Sequence, residues 1–238
     1  MIRLSSPVHQ LKRRAKLLAR REKIPLHEAQ NRIAREEGFN AWSALSARMA
    51  KNPSVSALLP QLADGDMLLL GARPGQGKTL MGLRLLLDAA RAGRRSVFFT
   101  MEYTEREAMQ RIRSLEDGEA GPMPEVVTSD EISADFIERH LSGSPRGTVA
   151  VVDYLQILDQ KRSKPPLAHQ MLALNEFARK NGAILGFISQ VDRHFDPEQG
   201  LPGLDDIRFP NPVPPGIFSK ACFLHAGEMR LQDLGLSA

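Results

Sequence analysis

The stretch Met67-Leu-Leu-Leu-Gly-Ala-Arg-Pro-Gly-Gln-Gly-Lys-Thr79 is an apolar run that breaks into a glycine-rich turn and closes on Lys-Thr. The run has the length and composition of a buried strand, and residues 79–92 have the apolar spacing of a helix. Strand, turn and helix in that order are the setting a phosphate-binding loop requires. Glycines 75 and 77 let backbone N–H groups turn inward on a triphosphate, where the following helix adds the positive end of its dipole. On this reading Ala72, Arg73, Pro74, Gly75, Gln76, Gly77, Lys78, Thr79 and Leu80 hold the nucleotide. Lys78 neutralises the β and γ phosphates, and the Thr79 hydroxyl holds Mg²⁺. The strict pattern fails at one position, because its first glycine falls on Ala72.

Three further apolar runs each lead into a polar residue. In open parallel sheets the carboxyl ends of the strands form the ligand crevice, so these residues are expected beside the glycine loop. The run 149–152 leads into Asp153, a carboxylate placed to hold the water shell of a metal ion; an ordinary strand-end cap is the alternative. The run 97–100 passes through Met101 into Glu102, which could polarise the water that attacks a γ phosphate. A Glu before a helix serves equally well as a charge complementing the helix dipole. The run 184–189 ends at Gln190, whose amide can sense a γ phosphate by hydrogen bonding, although a strand-end Gln is usually incidental.

Outward from these runs, short apolar segments alternate with amphipathic ones, which predicts βαβ units and an α/β domain with a parallel sheet. Strands are expected over 67–71, 96–100, 148–152 and 183–189, with helices over 79–92, 104–115, 133–141 and 167–180. Residues 220–226 and 228–231 read as a final hairpin around Gly227. Residues 201–216 contain five prolines and no apolar period, so they are expected to form a loop, and loops of that length are usually functional or disordered.

Residues 1–52 differ in character: they carry 12 Lys and Arg against 4 Asp and Glu, whereas residues 53–238 carry 20 against 24. A basic appendage on a mildly acidic body points to a polyanionic partner, most often nucleic acid. The pattern predicts three short helices. Ser6-Pro7 starts the first, with Val8, Leu11, Ala15 and Leu18 at helical spacing. Pro25 starts the second, with Leu26, Ala29 and Ile33 before a C-terminal Gly38, and Asn40 starts the third, with Trp42 as core anchor beside Leu45 and Met49. Lys12, Lys16, Arg20 and Lys23 form a basic stripe able to meet phosphates by counterion release; a merely solvated face is the alternative. Residues 51–56 read as a linker to the domain beginning at 53.

A chain of 238 residues suits one sizeable core plus this small appendage. The single Cys222 cannot form an internal disulfide, which favours a reducing compartment. No run approaches the roughly 20 apolar residues of a membrane span, and the start lacks the apolar core of a signal peptide. A soluble, cytoplasmic protein is expected.

Taken in order and at their spacing, GARPGQGKT, VFFTMEY, VAVVDYLQIL and ISQVDR resemble the ATPase domain of DnaB-type replicative helicases, within the RecA-like P-loop superfamily. The resemblance spans residues 54–231. In that family the first loop position is commonly Ala, which accommodates Ala72. The resemblance implies a RecA-like fold with a parallel-rich central sheet flanked by helices, and ATP with Mg²⁺ as cofactors. It assigns Lys78 and Thr79 to phosphate and Mg²⁺, Glu102 to the catalytic carboxylate, Asp153 to the Walker B position and Gln190 to the sensor.

It further implies single-stranded DNA as partner and assembly as a hexameric homo-oligomer. The DNA-facing loops would be 159–166, with Lys161, Arg162 and Lys164, and the segment after Arg193 through 204–208 to Lys220; solvated loop charge is the alternative. Two departures stand out. The family's arginine finger lies beyond the last hairpin, and no such basic segment follows Arg230 here, so Arg230, Arg208 or Lys220 substitutes or the ATPase is slow. The family's N-terminal scaffold domain and linker helix are replaced by the basic module. Two expectations result: an ATP-driven motor or remodeller of single-stranded DNA, or a nucleotide-switched DNA-binding or loading protein that does not translocate.

Overall fold

A computed structural model describes residues 8–42, 45, 58–116, 121–159, 164–192, 194–196, 201–207, 209, 211–225 and 228–235. The chain divides into two compact units, residues 1–54 with 226–228 and residues 55–225 with 229–238.

In the N-terminal unit α1 (Val8–Glu22) packs on α2 (Leu26–Glu36). Leu11 and Ala15 of α1 meet Ala29, Ile33 and Ala34 of α2 together with Leu45, and all six are buried. Burying a side chain such as Leu or Ile fully contributes about 1.5–3 kcal/mol, so this small cluster is a modest core. Gly38, at φ 83°, ends α2 as a C′ residue should: its N–H donates to the Arg35 carbonyl and the Phe39 N–H to that of Ala34. Trp42 stands half-buried at the rim of the cluster, its backbone N–H donating to Asn31 Oδ1 at 2.9 Å. The aliphatic residues, rather than the indole, form the buried centre. Ser6-Pro7, the side chain of Lys12 and most of the expected third helix lie outside the described residues.

The second unit contains, in chain order, β1 (Met67–Ala72), α3 (Lys78–Arg91), β2 (Ser96–Thr100), α4 (Glu105–Arg113), β3 (Glu125–Thr128), α5 (Ala134–Leu141), β4 (Val149–Asp153), α6 (Leu167–Asn181), β5 (Ile184–Gln190), β6 (Lys220–His225) and β7 (Glu228–Asp233). Seven strands form one sheet in the order β3-β2-β4-β5-β1-β6-β7. The pairs β2–β3, β2–β4, β4–β5, β1–β5 and β1–β6 are parallel. The sequence predicted four of these strands and the final pair. It missed β3, a four-residue edge strand with no buried residue, whose only neighbour is β2. Such a strand has no apolar run to announce it.

Alternation along the central strands divides the core between two faces. Leu68 and Leu70 of β1, Phe98 of β2, Val149 and Val151 of β4, and Ile184 and Ile188 of β5 lie on the face covered by α3 and α4. Met67, Leu69, Val97, Phe99, Ala150, Val152, Leu185 and Phe187 lie on the face covered by α5 and α6. Strands buried on both faces read as continuous apolar runs, which is why the sequence pattern marked them. Helix α3 settles closely on the sheet at Gly82, where a Cβ would stand 3.0 Å from Val151 Cγ1 and 3.1 Å from Ile188 Cδ1. A larger side chain there would lift the helix that follows the glycine loop.

The polar residues at the strand ends belong to the strands themselves. Asp153 ends β4 and pairs in register with Thr100 of β2, while Gln190 ends β5 opposite Ala72 of β1. The proline-rich segment is anchored rather than wholly irregular: residues 204–206 form a 3₁₀ turn and Ile207 bridges to Val191, just past β5. Among the described residues no helix is long and apolar enough to cross a membrane.

Candidate nucleotide-binding site

The loop joining β1 to α3 turns on the hydrogen bond from Gln76 N–H to the Arg73 carbonyl, 3.2 Å. Gly75 and Gly77 have φ of 76° and 92°, values that a side chain strongly disfavours. A Cβ on either would meet no atom within 4 Å, so both face open space. Helix α3 then begins at Lys78 with no side-chain cap and no acidic residue in its first turn. Its first N–H groups and the positive end of its dipole are therefore left for an anion from outside. Lys78 and Thr79 are half-buried, and Leu80 projects outward, 50% exposed.

Asp153 comes to this loop from the end of β4. It is fully buried, and neither carboxylate oxygen receives a hydrogen bond. Burial, followed by repulsion from Glu102, pushes its pKa up to about 6; the Thr79 hydroxyl and the charges of Lys78 and Arg111 oppose that rise. The Thr79 hydroxyl lies close enough to favour the ionised carboxylate, though outside hydrogen-bond geometry. Lys78, Thr79 and Glu102 thus each act on Asp153, although up to 75 residues separate them from it in the chain. The Asp153–Tyr154 peptide is cis.

An unpartnered ionised Asp153 costs the ligand-free fold stability. The carboxyl titrates at 3.8 by default and at about 6 in the fold. The folded state therefore holds the proton more tightly, and stability declines as pH rises between these values and stays low above them. The difference corresponds to about 3 kcal/mol at most. Asp153→Asn is accordingly expected to stabilise the ligand-free protein by up to about 3 kcal/mol at pH near 8 and by far less near pH 4. Denaturant midpoints at the two pH values measure this, and an Asn variant no more stable than the parent at the higher pH contradicts an unpaired buried carboxylate.

Glu102 stands exposed two residues beyond β2, its backbone N–H donating to Thr100 Oγ1 at 3.1 Å. The alternative role for it, complementing the dipole of the next helix, is already filled. Thr104 caps α4 in a complete capping box with Glu107, and Glu105 and Glu107 supply acid to the first turn. The cap hydrogen bonds from Thr104 hold the Glu107 carboxyl below its ordinary range. Gln190 is half-buried beside the start of the loop, and its amide makes no hydrogen bond among the described residues.

One participant escaped the sequence reading. Arg111, in the last turn of α4, lies over the Tyr103 ring at 4.5 Å and acts electrostatically on Asp153. Only its spacing, nine residues after Glu102 on an amphipathic helix, could have pointed to it, and such a spacing is common on any solvated helix.

The expected DNA-facing cations fare unevenly. Lys164 is not free to meet a phosphate: its ammonium donates to the carbonyls of Ile132 at 2.5 Å and Ile157 at 2.9 Å. Buried Gln170 completes this brace, donating to the Leu158 and Pro165 carbonyls and accepting from the Ala134 N–H. Lys161, Arg162, Arg193 and Arg208 lie outside the described residues. Of the candidate finger residues, Lys220 pairs with Asp233 at 2.9 Å and Arg230 donates to the Pro202 carbonyl at 2.8 Å.

No protein-family model matches this chain, and no curated protein matches it. Solved structures do. One, a structure of an isolated ATPase domain, aligns at 17% identity with a TM-score of 0.53, over 68% of this chain and 69% of that one. A DnaB-like replicative helicase, whose structure concerns its interactions with primase, aligns at 15% identity with a TM-score of 0.53, over 71% of this chain and 54% of that one. The chain thus spans about half the length of that helicase. The shared sheet with its helices on both faces gives the second unit the RecA-like α/β fold of these solved structures.

Proposed function

We propose that this protein binds ATP with Mg²⁺ between the glycine loop and the ends of β2, β4 and β5, hydrolyses it, and uses the cycle to act on single-stranded DNA. The observation that carries this reading is Asp153, a buried carboxylate without a hydrogen-bond donor beside Lys78 and Thr79, at the mouth of an open glycine loop. A buried ionised carboxylate is costly unless a cation or donor completes it. Mg²⁺ fits that need. It takes oxygen ligands, keeps several of its waters, and is commonly held by one or two carboxylates plus substrate phosphates rather than by a protein cage.

Thr79 and Asp153 would hold the ion, which when bound neutralises charge on the β and γ phosphates. The chain's own residues do the rest. The N–H groups from Gly75 to Leu80 bind phosphate oxygens, and Lys78 offsets the charge that develops on the leaving side. Glu102, exposed and free of any capping duty, orients the attacking water and accepts its proton. Gln190 senses the γ phosphate. The residues just after it support a relay: Val191 N–H donates to the Ala72 carbonyl at 3.1 Å, and Asp192 N–H to the Asp206 carbonyl at 2.7 Å. A change at Gln190 therefore bears on the proline-rich segment through the Asp192–Asp206 hydrogen bond at the Val191–Ile207 bridge.

Phosphate release measured with and without an oligothymidylate tests this reading. Turnover that requires Mg²⁺ and rises several-fold with the oligonucleotide is expected, and absence of any turnover in either condition would count against it. One observation favours the second reading, a nucleotide-switched binding protein: Lys220 and Arg230 are both engaged within the chain. Without a finger in trans, hydrolysis would be slow. A hexamer with strand displacement on a forked duplex supports the motor, whereas a monomer or dimer whose DNA affinity depends on nucleotide supports the switch.

A further inference from the structure

The N-terminal segment, residues 1–52, carries three times as many cationic as acidic residues. Residues 1–52 contain only four acidic residues, Glu22, Glu28, Glu36 and Glu37. Three arginines occupy all of them. Arg14 reaches Glu36 at 2.6 Å and Glu37 at 3.6 Å, Arg32 reaches Glu22 at 2.7 Å and Glu28 at 2.8 Å, and Arg21 reaches Glu22 at 3.1 Å. The other described Lys and Arg of this segment make no ion pair with these four acids.

On α1 these remaining cations share one face. Arg13, Lys16 and Arg20 recur at intervals of three and four residues, which places them in line on the helix surface. Lys23 follows just past the helix end. All four are exposed, and none has an ion pair among the described residues. Leu11 and Ala15, on the opposite side of α1, are buried against α2. From Arg13 to Lys23 the helical rise amounts to about 15 Å, a span of four or five phosphates at about 3.4 Å per nucleotide along a strand.

We propose that this outward face of α1 is a binding site for the phosphate backbone of nucleic acid, gripping it without regard to base sequence. Like charges held in a row repel one another, and a polyanion relieves that repulsion while releasing its own counterions. An anionic membrane is the less suitable occupant. A helix that lies in a bilayer surface presents an apolar face to it, whereas α1 turns Leu11 and Ala15 into its own core and, among the described residues, leaves only Leu17 markedly exposed, at 56%.

The test uses the full chain without ATP, so that it does not depend on the proposed catalytic cycle. Fluorescence anisotropy follows binding of a labelled oligothymidylate of about 30 nucleotides, and of a duplex of equal length, over a range of salt concentrations. Four phosphate contacts contribute a slope of about −3 to log K against log salt on the single strand and about −4 on the duplex. The combined variant Arg13→Gln, Lys16→Gln, Arg20→Gln, Lys23→Gln is expected to lose most of that contribution while its basal ATP turnover stays at the parent level. The charge-preserving variant Arg13→Lys, Arg20→Lys is expected to keep the parent slope, which separates lost charge from lost folding. An unchanged slope in the neutralised variant overturns the proposal. So does an equal loss in the charge-preserving variant, or a preference of the parent protein for phosphatidylserine vesicles over the oligonucleotide at equal phosphate concentration.

Discussion

Lys78→Ala is expected to lower ATP turnover by about 10²–10³-fold, the scale on which removal of a preorganised charge-stabilising group slows a reaction. The side chain opens α3 at the end of the glycine loop, where no protein acid competes for it in the first turn. Its charge also favours the ionised form of Asp153. Its loss therefore acts twice: the phosphates lose a counter-charge, and Asp153 becomes harder to ionise. The acid limb of any residual activity should move to higher pH, since a carboxyl already near 6 rises further when a neighbouring cation is removed. Phosphate release against pH measures both effects. Turnover untouched by this substitution would remove the nucleotide site, and with it both the motor and the switch.

Glu102→Gln is expected to cost about 10²–10⁴-fold in turnover, the usual contribution of a general base or water-orienting carboxylate, while nucleotide affinity stays near that of the parent. The reason lies in position. Glu102 is exposed beyond β2, makes no helix cap, and touches the site through its charge. That charge raises the Asp153 pKa, so the neutral amide should let it fall and shift the acid limb of residual activity to lower pH. The two substitutions thus move the same titration in opposite directions. Calorimetric titration of ATP with Mg²⁺ separates binding from chemistry, and equal losses in both would show that Glu102 serves the fold or the ligand's affinity instead of the reaction.

Much of the second unit was legible because its signals are local. Strands buried on both faces cannot hide their apolar runs, and β1, β2, β4 and β5 fall where those runs lie. The glycine loop was legible for the same reason: the positive φ values at Gly75 and Gly77 demand that residue type, and the turn's sequence advertises them. Edge strand β3 was not legible, since a half-exposed strand of four residues has neither an apolar run nor a clean alternation. The basic stripe on the first helix was visible in the sequence. Lys16, Arg20 and Lys23 have no ion pair among the described residues, the side chain of Lys12 lies outside them, Arg13 joins the face, and Arg14 and Arg21 pair with acids.

Lys164 shows the opposite limit. As a residue between Ser163 and two prolines it reads as a loop cation available to a ligand. Tertiary structure gives it the carbonyls of Ile132 and Ile157 instead, one of them 32 residues away. Nothing in its immediate sequence records that carbonyl.

Composition, periodicity and turn chemistry by themselves determined an α/β domain, the place of its phosphate-type loop, and the charge of its N-terminal unit, because each depends on residues within a few positions of one another. Only the tertiary structure decided that β1 lies between β5 and β6, and that Thr79 and Glu102 act on Asp153. It alone decided which arginines of α1 are already spent on acids and which are left for a partner. Those outcomes depend on burial and on charges brought together through space, and a chain reads neither until it has closed upon itself.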